Sequence, residues 1–230
     1  MSVQILPNFY WIEAKSSNIY LCMDEDGLTL IDCGMPKRAE FVWEALAQIG
    51  RQKQELKRIL LTHADMDHTG SLAVLQAETG AKVYAGRETA DLIQTGQSPK
   101  HMPWFAQLII DRFMRYQTVA ANVIEVFADG DVLPVLGGVQ VLATPGHTMD
   151  HFSFYSPTTG VLIAGDALNT RDGRLQRTPK AITADETAAN RSAIRLLELA
   201  PAVFACGHGR PMQLDGMEEL MELFNTLRKF

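Results

Sequence analysis

His63-Ala64-Asp65-Met66-Asp67-His68 is the stretch that decides how this chain reads. Two imidazoles and two carboxylates fall within six consecutive residues. These are the side chains that ligate zinc, manganese or iron. They follow residues 58–62, a short apolar run that reads as a buried strand. On a tight loop at the end of a rigid strand, such groups can converge on one point.

Outward from this motif, three more ligand-type residues stand at strand ends beside glycine. His147 lies in Thr144-Pro145-Gly146-His147-Thr148, after the apolar run 139–143. Asp166 closes the run 161–164 in Ala164-Gly165-Asp166. His208 closes the run 203–206 in Cys206-Gly207-His208-Gly209. Glycine at these places lets backbone approach closely. Each residue alone is as readily a satisfied polar group at a strand end. Together with the first motif they make a metal-ligand set.

The rest of the pattern is α/β. Apolar runs 18–23 and 28–32 flank Asp24-Glu25-Asp26-Gly27, a hairpin signal. Phe41, Ala45, Leu46 and Ile49 share one helical face that stops at Gly50. Residues 69–79 read as a helix capped by Gly80, and 82–85 as a strand. Strands return at 123–127, 139–143, 152–155 and 161–164. Then follow a helix over 185–199, a strand over 203–206 and a closing helix over 217–229. Two packed sheets with helices outside suit this order. With no linker or internal repeat, residues 1–230 read as a single domain.

Residues 87–120 differ in character and form a helical insertion of one or two amphipathic helices. They carry Pro99, Pro103, Trp104, Phe105, Phe113, Met114 and Tyr116. The aromatics are expected in the core. The functional alternative is a wall over the metal site that accepts an apolar substrate portion. His101, inside the insertion, is expected on the surface.

Composition narrows the function classes. A formal net charge of -6 gives no electrostatic footprint for nucleic acid. Cys22, Cys33 and Cys206 form no metal-spaced pair and read as reduced, buried small hydrophobes. The start, Met1-Ser2-Val3-Gln4-Ile5-Leu6-Pro7, lacks the pattern of a signal peptide. The longest apolar stretch, 104–114, is interrupted by Asp111 and Arg112, so no membrane span is expected. A cytoplasmic protein is the expectation, and a secreted drug-resistance lactamase is disfavoured.

On these residues the chain resembles the metallo-β-lactamase superfamily. Its mark is His-x-His-x-Asp-His, followed by a distal His, Asp and His. The resemblance spans roughly residues 15–210 and keeps the motif order. It implies a four-layer αββα sandwich, two mixed β-sheets flanked by helices, with metals at one sheet edge. It implies two divalent metal ions, zinc first, with manganese or iron as alternatives. His63, position 65 and His147 would hold the first, and Asp67, His68 and His208 the second. Asp166 would bridge them, and Asp67 would also be the catalytic proton carrier. The implied activity is hydrolysis of an ester, thioester or lactone by a metal-bound hydroxide. The partner is then a small-molecule substrate with an apolar acyl portion, and homo-oligomerisation stays open. His151, Tyr155 and Asn169 are candidates for substrate contacts. For His151 the alternative is a structural histidine that orients a neighbouring loop.

One position departs from the pattern. The second histidine of the superfamily motif is Asp65 here. Aspartate either ligates or hydrogen-bonds to a ligand. Three carboxylates and a hydroxide would neutralise two divalent cations, which weakens Lewis acidity relative to histidine. A carboxylate also makes the site harder and favours manganese or iron. Flavodiiron oxidoreductases of the superfamily carry Glu at this position. An iron-dependent oxidoreductase or dioxygenase is therefore the alternative, and a non-catalytic binding protein the third reading.

Overall fold

Alternation along the strands builds the layers. The computed structural model describes residues 2–113, 117–213 and 218–228. The first sheet holds seven strands in chain order: β1 (Ser2–Leu6), β2 (Phe9–Glu13), β3 (Asn18–Asp24), β4 (Gly27–Ile31), β5 (Leu56–Leu60), β6 (Lys82–Gly86) and β7 (Ile124–Phe127). The first four pair antiparallel through short turns. From β4 to β7 the pairing is parallel. Parallel neighbours need crossover connections, and helices supply them. They are α1 (Glu40–Gln48), then α2 (Met66–Thr69) with α3 (Leu72–Thr79), then α4 (Arg87–Thr95) with α5 (Trp104–Phe113).

The second sheet contains β8 (Val132–Leu133), β9 (Val139–Ala143), β10 (Phe152–Ser156) and β11 (Val161–Gly165). The short strands β12 (Leu168–Asn169) and β13 (Gln176–Arg177) pair apart from it. After α6 (Glu186–Glu198) come β14 (Val203–Cys206), β15 (Met212–Gln213) and α7 (Glu218–Leu227). The spatial order is β15-β14-β11-β10-β9-β8.

Side chains sort by face. From β3, Tyr20 and Cys22 join Phe154, Val161, Ile163 and Ala205 of the second sheet in the core between the sheets. Ile19 and Leu21, one residue out of phase, pack with Val42, Leu46, Leu72, Leu75 and Ile93 of α1, α3 and α4. On the far side, Leu162 and Phe204 pack with Leu196, Leu197 and Leu220 of α6 and α7. Strand side chains alternate every residue, so one sequence phase faces the other sheet and the opposite phase faces helices. The result is the expected αββα sandwich with two mixed sheets. The three cysteines are free and fully buried within these layers. No helix among the described residues is long and apolar enough to cross a membrane.

Two expectations change. The metal motif is not a loop throughout: its second half is the helical turn α2, held by bonds from the His68 and Thr69 amides to the Asp65 carbonyl, both 2.9 Å. The aromatics at the start of α5 are not core. Trp104 is 80% and Phe105 57% exposed, and Leu108 and Ile109 are also exposed. Among the described residues no layer packs against that face of α5. The expectations for the side chains of residues 113, 114 and 116 lie outside what is described.

Candidate metal centre

Strand direction decides where the site forms. β9, β11 and β14 run the same way, because β10 reverses between β9 and β11 and β14 pairs parallel to β11. The loops after these three strands therefore leave the second sheet at one edge. They carry His147, Asp166 and His208. The loop after β5 of the first sheet brings His63, Asp65, Asp67 and His68 to the same edge. At the end of β11 the register shifts between Ile163 and Gly165, a bulge that re-aims the following Asp166. Gly165 sits at φ 52, and a Cβ there would lie 2.6 Å from His151 Nε2. Only glycine suits that corner.

The structure brings all seven sequence-identified residues together. Asp65 Oδ2 lies 3.3 Å from His63 Nε2 and 3.1 Å from His147 Nε2. His147 Nε2 is 3.6 Å from Asp166 Oδ2. On the other side, Asp166 Oδ2 is 3.0 Å from His208 Nε2, and Asp166 Oδ1 is 3.4 Å from His68 Nε2. Asp67 Oδ2 is 3.5 Å from His208 Nε2 and 3.9 Å from His68 Nε2. Ligand atoms about 2.0–2.1 Å from a tetrahedral ion stand roughly 3.3–3.4 Å apart. Most of the observed separations lie near that edge length, and Asp166 faces both groups.

Hydrogen bonding around the imidazoles tests whether a cation fits. Thr62 Oγ1 donates to Asp32 Oδ2 at 2.8 Å, so its oxygen accepts from His63 Nδ1 at 2.9 Å. In the neutral ring, His63 Nε2 then carries a lone pair. It is buried and points at a carboxylate oxygen. Two facing lone pairs repel unless a cation lies between them. His68 tells the same story. Its Nδ1 binds Asp32 Oδ2 at 2.8 Å, while Nε2 and the nearby Asp166 Oδ1 are buried and make no hydrogen bond. Burial opposes a charge on His68, yet Asp166, Asp32 and Asp67 raise it well above its ordinary value. Burial likewise works against ionised Asp65 and Asp166. Even so, the His147 hydrogen bond holds Asp65 well below the usual carboxylate range, and His68 and His208 do so for Asp166. These residues fit a bound metal.

Two residues without a sequence-based expectation matter here. Asp32 ends the apolar run before Cys33-Gly34 and adopts φ 61, a left-handed conformation that aspartate tolerates. It accepts from Thr62 N at 2.9 Å as well as from Thr62 Oγ1 and His68. One carboxylate thus orients both His63, through Thr62, and His68. The sequence signal was present, because Asp32 is an acid at a strand end near glycine, as Asp166 is. Asp32→Asn is expected to weaken metal affinity about 10–100-fold, measured by competition with a chelator. Unchanged affinity would remove Asp32 from this role. Asp150 similarly ties the motif loop, accepting from Ala64 N at 2.9 Å and Thr89 Oγ1 at 2.7 Å.

The candidates for substrate contact fare differently. His151 is buried. It accepts from the Asp166 amide at 2.9 Å and contacts Thr144 Oγ1 at 2.8 Å. Burial and the neighbouring His63 push it well below its ordinary value, so it is neutral and orients the Asp166 loop. Tyr155 packs in the outer core beside α6 and donates to the Leu199 carbonyl at 3.4 Å. Asn169 is buried, with its amide on the Arg177 carbonyl. All three side chains have hydrogen-bond partners within the protein. His101 is a correction in the other direction. It is not on the surface: its side chain is 8% exposed, and Nε2 is 3.4 Å from Asp65 Oδ2. A lone histidine in an insertion, with neither a strand end nor a glycine beside it, carries no local signal for this.

The first sheet also reaches across to fix His208. Asn18 Nδ2 donates to the carbonyls of Cys206 and Gly209 at 2.8 and 2.6 Å, and Tyr20 Oη to Cys206 at 2.7 Å. The Asn18 amide binds the Gly207 carbonyl at 2.7 Å.

The fold and this edge are those of a known class, and the sequence agrees. The profile of the metallo-beta-lactamase superfamily matches residues 12–208, and the chain belongs to that superfamily. Among relatives, the probable metallo-hydrolase YflN of Bacillus subtilis is 28% identical, over 99% of this chain and 89% of that protein. The hydroxyacylglutathione hydrolase of Idiomarina loihiensis is 33% identical, over 63% of this chain and 43% of that protein. A metallo-beta-lactamase family protein of Thermus thermophilus superposes with a TM-score of 0.72 at 26% identity, covering 98% of this chain and 81% of that one.

Proposed function

We propose that this chain is a hydrolase that acts as one unit over residues 1–230 and binds two divalent metal ions, zinc first. Its substrate is a small ester, thioester or lactone with an apolar acyl portion. The observation that carries the reading is the pair of His/Asp groups meeting at Asp166, with imidazole nitrogens aimed at carboxylate oxygens. His63, Asp65 and His147 would hold the first ion, Asp67, His68 and His208 the second, and Asp166 both. When bound, such ions supply Lewis acidity and an activated water near neutral pH. The chain's own residues do the rest. Asp32 and Thr62 set the ring orientations of His63 and His68. Asp67 is 27% exposed at its side chain, which leaves it open to move a proton between substrate and solvent.

Two observations support the substrate class. Hydroxyacylglutathione hydrolases are among the relatives. In addition, α5 begins three residues after His101 and presents Trp104, Phe105, Leu108 and Ile109 outward, an apolar face suited to an acyl chain. The test is turnover of an ester, thioester and lactone panel by metal-loaded protein, with Asp67→Ala as control. KM is expected to fall by up to about fourfold per added acyl methylene, and Trp104→Ala to flatten that trend. A panel with no turnover above the control would overturn the hydrolase reading.

A further inference from the structure

We propose that His101, delivered by the chain between α4 and α5, is a ligand of the first metal position and takes the place of the histidine that Asp65 replaces. The inference rests on the two-metal reading above and adds to it a ligand from outside the superfamily motif.

The geometry is specific. Asp65 Oδ2 has three imidazole nitrogens around it: His147 Nε2 at 3.1 Å, His63 Nε2 at 3.3 Å and His101 Nε2 at 3.4 Å. The three separations share the Asp65 oxygen, and each is near the length expected between ligands of one small ion. Asp65, His101 and His147 offer ligand atoms that all lie within 4.8 Å of one another. A hydrogen-bonded cluster explains this less well. The Thr62 contact leaves His63 Nε2 a lone pair in the neutral ring, so at least one of the three nitrogens does not donate to Asp65.

His101 is also held in the way a ligand needs. Its side chain is more buried than that of Asp65, and its ring lies 4.9 Å from the His147 ring.

The consequence is a rearranged first position. Three imidazoles, His63, His101 and His147, restore the nitrogen count of the superfamily motif, and Asp65 adds a carboxylate to it. The third imidazole comes from the segment that also carries the apolar face of α5. Metal uptake should therefore tie down the wall of the substrate site.

The test is a cobalt(II) titration of the metal-free chain, read by visible absorption and by elemental analysis. Wild type is expected to take up about two ions. His101→Ala and His101→Gln should take up about one tightly, with the spectrum of the first position lost and the far-ultraviolet circular dichroism unchanged. Adding Asp65→His to His101→Ala returns the motif histidine and should recover the second equivalent. A purely structural role for His101 would not be rescued in this way. Two ions bound by wild type, with stoichiometry and spectrum unchanged in both His101 variants, overturn the assignment alone. A wild-type chain that binds no cobalt overturns the metal reading beneath it.

Discussion

Asp166→Ala is expected to release metal from both positions at once. The Asp166 backbone would stay in place, because its amide is held by His151 and its carbonyl by the Thr178 hydroxyl. What disappears is the carboxylate that faces His147 on one side and His68 and His208 on the other. Metal content should fall from about two ions per chain to well below one. The Lewis-acid contribution is worth several kcal/mol, so kcat/KM should drop by roughly 10³-fold or more. Elemental analysis beside steady-state kinetics checks both. Full metal content and activity within tenfold of wild type would show that Asp166 does not join the two positions.

Gly207→Ala should damage the centre without replacing any of the proposed ligands. A Cβ at this position would stand 2.0 Å from Asp166 Oδ1 and 2.7 Å from His68 Cε1. Both are far inside contact distance, and both neighbours are buried and tethered, so neither can turn away freely. Gly207 is itself fixed, with its amide on the Gly165 carbonyl at 2.7 Å and its carbonyl on the Asn18 amide at 2.7 Å. Overpacking of this kind costs about 1–3 kcal/mol. The variant should melt several degrees lower and lose over a hundredfold in kcat/KM, while Gly50→Ala, strained only by its φ of 70 and with nothing within 4 Å of its Cβ, should lose some stability but keep wild-type kcat/KM. Calorimetry and kinetics on the pair decide the matter. Equal kcat/KM of the two would mean that the strand ends yield easily and the centre is not rigid.

Legibility in the sequence followed periodicity and punctuation. β9 and β14 matched their apolar runs residue for residue, because both are short, buried and bounded by turns. β1 and β2 were not separately read. β1 lies at the sheet edge with Val3 exposed, and edge strands alternate weakly. The seven ligand-type residues were legible because each follows a strand, where a sheet edge gathers loops that are distant in sequence. Asp32 obeyed the same rule and was passed over because it stands apart from the His/Asp motif. His101 and the exposed face of α5 were not legible. Their positions depend on how an insertion folds back over the edge, and local pattern contains no term for that.

The partition of the proposed ligands between the sheets has a consequence for mass action. His63, Asp65, Asp67 and His68 belong to the first sheet, and His147, Asp166 and His208 to the second. Across the same seam Asn18 and Tyr20 grip the His208 loop. An ion held at either position is therefore a cross-link between the two halves of the sandwich. It binds the docked sheets and not the separated ones, so its free concentration adds to the stability of the whole chain. At a hundred times the dissociation constant that linkage is worth about 2.7 kcal/mol per site. The melting temperature of this protein should thus report the metal supply of its surroundings, and a chelator should act on it as a mild denaturant.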